Sequence, residues 1–188
     1  MRQPGLARRA FLGAAGKAAV GVAAGRCLCG EACAATGADA CVDAICGIYC
    51  GACPALMASK DAKTAAEVKC LGCRSTKKIP GYAPKCDVRK CAKSKMLQSC
   101  GLCKSYPCDK IKAFFNETPK YGLREKYLNT VRDKGLPSWL EEMKTRWTCK
   151  TCGAAFGYGD KACRKCGGKI YTDAEEFAEF KKTKADRL

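Results

Sequence analysis

The chain has no histidine among its 188 residues, and that absence excludes a good deal. No imidazole is available as a general base near neutral pH or as a nitrogen ligand for a metal. No serine–base arrangement or carboxylate pair stands out in its place, so no catalytic residue is assigned. Acidic residues are also scarce, 18 against 35 lysines and arginines, for a formal net charge of +17. Aromatics make up 8%. There is no strongly apolar run of about 20 residues, the length a membrane-spanning helix needs. What the chain does have is eighteen cysteines. Ten of them fall in five Cys-x-x-Cys pairs: Cys50/Cys53, Cys70/Cys73, Cys100/Cys103, Cys149/Cys152 and Cys163/Cys166. Two residues between thiolates is the spacing of a metal knuckle, in which both sulfurs reach one tetrahedral ion. An all-thiolate donor set selects zinc or an iron–sulfur cluster over harder metals.

The N-terminus reads Arg8-Arg9-Ala10-Phe11-Leu12 and continues as a weakly apolar, alanine- and glycine-rich stretch to about Ala24. It resembles the twin-arginine export signal of bacteria in its arginine pair and its Phe-Leu. Lys17 departs from the pattern, and small residues at Val22/Ala24 and Ala32/Ala34 leave the cleavage point open. Arg26 stands where a lipidated Cys27 would require a small residue. The resemblance implies a periplasmic or exported protein that crosses the membrane already folded. It would be membrane-associated if the signal is retained and would have no stable span after processing. An oxidising compartment favours disulfides, but Cys-x-x-Cys loops are too short to gain much from one. The thiols are therefore expected to be metallated before export.

Composition divides the chain into four regions: a signal segment at 1–35, a cysteine-rich metal-binding domain at 36–116, a helical spacer at 117–147, and a zinc ribbon with a C-terminal helix at 148–188. The expected fold class is a small metal-stabilised α+β protein. It combines a cysteine-rich irregular to helical domain, a helical spacer and a C-terminal zinc-ribbon hairpin. In the spacer, Leu123, Tyr127, Leu128 and Val131 form one apolar stripe of a helix. Gly135 and Pro137 are expected to end it. Ser138 and Glu141 have the spacing of a capping box for a second helix, packed through Trp139, Leu140, Met143 and Trp147. In the tail, Cys149/Cys152 and Cys163/Cys166 are each followed by a glycine, as a knuckle turn requires. The ten residues between the pairs would make a short hairpin holding Phe156 and Tyr158. Zinc is the expected metal. A last helix is expected from about Asp173, packing Phe177 and Phe180. Cys149→Ser is expected to unfold this tail and leave the central block folded.

The central block carries ten candidate ligands: Cys46, Cys50, Cys53, Cys70, Cys73, Cys86, Cys91, Cys100, Cys103 and Cys108. Its strings Cys46-Gly47-Ile48-Tyr49-Cys50-Gly51-Ala52-Cys53-Pro54, Cys70-Leu71-Gly72-Cys73, Cys86 to Cys91, Cys100-Gly101-Leu102-Cys103 and Tyr106-Pro107-Cys108 come in a telling order. From about Cys46 to Phe115 they resemble the bacterial and archaeal domain-of-unknown-function family 3795. The Trp147-Thr148-Cys149 ribbon after a helical spacer is also similar to that family. The resemblance implies metal binding without an assigned activity. Zinc and an iron–sulfur cluster both remain open for this block. Cys46-x-x-x-Cys50-x-x-Cys53 has the spacing of radical enzymes that use S-adenosylmethionine, but a block of about 70 residues cannot supply their barrel.

Function is read accordingly. The first expectation is an exported, thiolate-zinc accessory or docking protein without a catalytic site, whose basic surface meets another protein, an exported redox enzyme among the candidates. The alternatives are a periplasmic iron–sulfur electron-transfer protein and a thiol-redox or metal-handling protein. The last would need pairs such as Cys100/Cys103 with lowered thiol pKa values. Lysines beside a ribbon suggest nucleic acid, yet the aromatics are not interleaved with basic residues for base stacking, so a nucleic-acid partner is not expected.

Overall fold

The computed structural model describes residues 45–187. The twin-arginine-like segment, Cys27, Cys29, Cys33 and Cys41 lie outside them. The described residues contain six α-helices: α1 (Pro54–Lys60), α2 (Asp87–Ser94), α3 (Asp109–Lys112), α4 (Pro119–Lys134), α5 (Leu136–Arg146) and α6 (Asp173–Ala185). Three 3-10 turns at Cys50–Ala52, Ala83–Lys85 and Cys100–Leu102 punctuate the cysteine block. No helix among the described residues is long and apolar enough to cross a membrane.

Helix α4 organises the rest. Its stripe of Leu123, Tyr127, Leu128 and Val131 is at most 1% exposed, and burying each such side chain contributes about 1.5–3 kcal/mol. The helix packs against α5, α6 and the Cys100–Leu102 turn. Two Cys-Gly strings of the block also lie flat on it. A side-chain carbon at Gly47 would stand 2.8 Å from Leu128 Cγ and 2.9 Å from the Arg124 carbonyl oxygen, and one at Gly101 would stand 2.7 Å from the Leu128 carbonyl oxygen. The glycines beside Cys46 and Cys100 thus let both thiol-bearing turns approach the helix backbone.

Helix α5 begins earlier than the sequence pattern suggested. Gly135, with φ of 84°, makes the corner, and α5 starts at Leu136 with Pro137 in its first turn. Proline lacks an N–H that would have no partner there anyway, so it opens this helix instead of closing α4. Ser138 therefore lies inside the helix, and no side-chain cap forms. The capping box is found on α6: Thr172 accepts from the Glu175 amide at 3.2 Å, and Glu175 Oε2 accepts from the Thr172 amide at 2.8 Å. Phe177 is buried and Phe180 packs at the core's edge, as expected.

The expected hairpin of the tail is not formed by strands. Among the described residues, only two isolated antiparallel bridges occur there, Thr148 with Ala155 and Ala162 with Lys169. Each bridge closes one knuckle on itself. Between them the chain turns inward, because Phe156 and Tyr158 bury themselves against Trp147 at ring-centroid separations of 5.3 and 4.5 Å. The backbone of this connector bonds away from any partner strand: Tyr158 N–H donates to the Ala52 carbonyl at 2.9 Å and Gly157 N–H to Asp160 Oδ2 at 2.8 Å. The fold is accordingly helical with irregular cysteine turns.

One hydrophobic cluster joins the block to the tail. It contains Ile48, Tyr49, Ala52 and Leu56 together with Trp139, Trp147, Phe156, Tyr158 and Ile170. Trp139 sits edge-on to Tyr49 at 6.1 Å between centroids. The Tyr49 amide, buried, donates to the Tyr158 hydroxyl at 3.1 Å. At the other side of α4, buried Glu176 accepts from Lys126 Nζ (2.6 Å), the Tyr127 hydroxyl (2.9 Å) and Arg146 Nε (2.9 Å), tying α4, α5 and α6. A second cluster, Ile45, Val88, Ala92, Ile111 and Leu128, holds α2 and α3 against the cysteine turns.

Candidate metal centres

The tail site is assembled from two like turns. In each, the residue after the second cysteine is a glycine with positive φ, 70° at Gly153 and 68° at Gly167. Gly153 N–H donates to the Cys149 carbonyl at 2.9 Å and Gly167 N–H to the Cys163 carbonyl at 2.8 Å. The amides of Cys152 and Thr151 point at Cys149 Sγ and bring its thiol down to about 6; those of Cys166 and Lys165 lower Cys163 likewise. Such N–H groups favour the thiolate, the metal-binding form. The four sulfurs of Cys149, Cys152, Cys163 and Cys166 all lie within 4.8 Å of one another. Cys149 and Cys166 are 3.8 Å apart, and Cys152 and Cys163 are 3.6 Å apart. A tetrahedral ion with bonds of about 2.3 Å to sulfur sets its ligands roughly 3.8 Å apart, so the donor set fits a single zinc or iron ion.

The block arranges its thiols differently. Cys46, Cys50, Cys53, Cys70, Cys73 and Cys86 line one cavity of about 70 Å³. Cys50 and Cys53 bracket the first 3-10 turn, and Pro54 starts α1 directly after it. The Cys70 loop is clamped to α1 by buried Ser59, whose hydroxyl donates to the Ala55 carbonyl and accepts from the Lys69 and Cys70 amides at 2.9 and 3.0 Å. Gly72 N–H reaches Cys70 Sγ at 3.3 Å. Burial raises the Cys50 thiol strongly and pushes Cys73 up to about 11, with the neighbouring thiols adding to both. The tail is the one place among the described residues where three or more sulfurs lie mutually within 4.8 Å.

Cys91, Cys100, Cys103 and Cys108 form the other half of the block, on α2, the Cys100–Leu102 turn and the start of α3. Cys46 lies between the two halves: its charge acts on Cys50 and Cys73 on one side and on Cys100 on the other. Cys100 is pushed up to about 12, first by burial and then by Cys46, Cys108, Cys103 and Cys91. The lowered pKa that thiol exchange at this pair would need is absent at Cys100, although Lys95 Nζ stands 3.9 Å from Cys103 Sγ. All fourteen described cysteines are free thiols.

Residues 42–113 match the family described as Protein of unknown function (DUF3795). No curated protein and no solved structure matches the chain. The DUF3795 segment thus contains all ten block cysteines, while the four-sulfur site of the tail lies beyond it. Several residues of the DUF3795 segment and its support escaped the sequence reading. Ser59 and Ser99 look like ordinary loop polar residues, yet the Ser99 hydroxyl accepts from the Gly101 amide at 3.3 Å inside the core. Arg124 is one of many basic residues, but it is 9% exposed and reaches the cysteine cavity. Nothing in their spacing marks them.

Proposed function

We propose that this protein is a metal–thiolate binding protein that serves as an accessory or docking module, with a structural zinc-ribbon-like centre in its tail. The observation that carries this reading is the set of four tail sulfurs gathered within 4.8 Å. Four protein thiolates saturate a tetrahedral ion and leave no position for a substrate, the hallmark of a structural site. The metal supplies folding energy there. Zinc is favoured over mononuclear iron because it holds four thiolates without redox chemistry, consistent with a site whose ligands close a helical core. Export by the twin-arginine route and docking to an acidic face of another exported protein complete the proposal. The excess of basic residues supports the second point.

Elemental analysis of anaerobically purified protein tests it. About one zinc per chain attributable to the tail is expected, lost in Cys149→Ser/Cys152→Ser. Retention of all zinc in that variant would refute the assignment. Cobalt substitution gives a second check, since four-thiolate coordination produces intense visible bands that the same variant should abolish.

A second reading, electron transfer through an iron–sulfur cluster, is favoured by the cavity of the block, whose thiols surround a space instead of meeting at a point.

A further inference from the structure

Three basic residues, Arg89, Lys120 and Arg124, line the cavity together with the six cysteines, and no carboxylate among the described residues lines it. Arg124 is the most constrained of the three. Its Nη1 donates to the Phe114 carbonyl at 2.8 Å, and its guanidinium lies over the Tyr121 ring at 4.4 Å from the centroid. Its Nε is buried and has no partner. Arg89 gives its Nε to the Cys73 carbonyl at 2.8 Å. None of the three forms a salt bridge with a carboxylate among the described residues. A buried guanidinium without a counter-charge is costly, and it becomes favourable once an anionic group occupies the space before it.

The spacing of the sulfurs indicates what kind of anion. A single tetrahedral ion draws its thiolates to roughly 3.8 Å, as in the tail. A polynuclear cluster bonds each cysteine to a different metal atom and so holds the sulfurs farther apart around a filled volume. Among the described residues no three of the cavity's sulfurs lie mutually within 4.8 Å, so they are not drawn together as the tail sulfurs are. The cavity's two Cys-x-x-Cys turns, Cys50/Cys53 and Cys70/Cys73, stand on separate loops fixed by α1 and Ser59. Its volume of about 70 Å³ exceeds the share of one water, about 30 Å³, and is too small for a substrate molecule.

We propose that this cavity binds an anionic iron–sulfur cluster through four of its six cysteines, Cys70 and Cys73 among them, with Arg124, Lys120 and Arg89 as its counter-charges. This rests on the metal–thiolate reading of the chain but concerns a different site from the tail. A cluster with thiolate ligands carries net negative charge, and the cavity offers cations without competing carboxylates. The apolar remainder, Ile45, Ile48, Leu56 and Val88 among it, limits water at the cluster, one of the features that set its potential.

The full-length chain, prepared anaerobically, decides the matter by iron, zinc and acid-labile sulfide content together with the visible spectrum. The expected result is iron and sulfide in equal amounts with a broad brown absorbance. Cys70→Ser/Cys73→Ser should lose iron and sulfide together while keeping the tail zinc. Iron without sulfide, a colourless protein containing zinc alone, or iron and sulfide unchanged in the variant would each overturn the proposal. Loss of tail zinc in Cys149→Ser/Cys152→Ser is read separately, so failure at one site does not imply failure at the other. Should the cavity variant fail to fold, Arg124→Met provides the second test. Removing the buried cation should lower the reduction potential of the bound cluster in a protein of unchanged helical content. An unchanged potential would refute the role given to the cavity's charges.

Discussion

In the tail, four sulfurs from two glycine-closed turns come within 4.8 Å of one another; in the block, six sulfurs from several loops stand around a cavity. The ligand is the same and so is the Cys-x-x-Cys spacing. The difference lies in the support. Tail sulfurs receive amide hydrogen bonds from their own turns, which draw Cys149 down to about 6. Block sulfurs are held by burial against α1 and α4, which drives Cys73 up to about 11. The tail turns therefore favour the thiolate at Cys149 and Cys163, although Cys166 beside them is raised, whereas burial raises Cys50, Cys73 and Cys100 of the block. Local turn geometry builds the first site, and tertiary packing builds the second.

The sharpest way to break this contrast is Cys149→Ser. A structural zinc contributes on the order of 10 kcal/mol in small zinc-folded peptides, so the tail should lose its exchange protection entirely. The sequence alone suggested that the block would stay intact. The shared core argues otherwise, because Tyr158 accepts the buried Tyr49 amide beside Cys50. Hydrogen exchange should report lost protection at Tyr49 and Ala52 as well. Full protection there would mean that the two regions are energetically separate.

Glu176→Ala comes next. It leaves Arg146 and Tyr127 without their shared carboxylate and should cost about 3–5 kcal/mol by denaturant titration, the range for breaking a buried pair. Burial raises the Glu176 carboxyl, but the Lys126 and Arg146 charges and the Tyr127 hydroxyl outweigh it, so the folded value lies below the ordinary 4.5. A depressed folded pKa gives stability that is present above 4.5 and lost as pH falls through the folded value. Acid titration of the wild type should show this loss below 4.5, and Glu176→Gln should flatten it.

Gly47→Ala tests the packing of the block on α4. The added carbon meets Leu128 and the Arg124 carbonyl, and the residue must hold φ of 85°, so a loss of about 2–3 kcal/mol is expected. A neutral effect would show that the Cys46 turn does not depend on close approach to the helix. The smallest effect belongs to Tyr158→Phe, which deletes one hydrogen bond between the two regions and strands a buried amide. About 1–2 kcal/mol is expected from chemical denaturation, and a smaller change would mean that a water replaces the hydroxyl.

Parts of this architecture were legible before the structure. The stripe Leu123, Tyr127, Leu128 and Val131 gave α4, because helical periodicity and burial coincide there. The glycines at 153 and 167 marked both knuckles, since a positive φ is a local demand. Pro137 misled because proline both stops and starts helices, and only the corner at Gly135 separates the two. The tail hairpin was over-read. Its connector contains good strand residues, but Phe156 and Tyr158 gain more by burial against Trp147 and the Cys50 turn than by pairing with a neighbouring strand.

The sequence by itself determined that any metal site would be all-thiolate and that the tail pairs would form glycine-closed knuckle turns. Each of these depends on residues within a few positions of one another. Tertiary structure decided which distant thiols face one space, how far apart they stand and which cations meet them. Cys50 and Cys73 share a cavity with Arg124 only because α1, the Ser59 clamp and α4 bring them together. Those separations are set by packing between elements far apart in the chain, and no spacing rule encodes them.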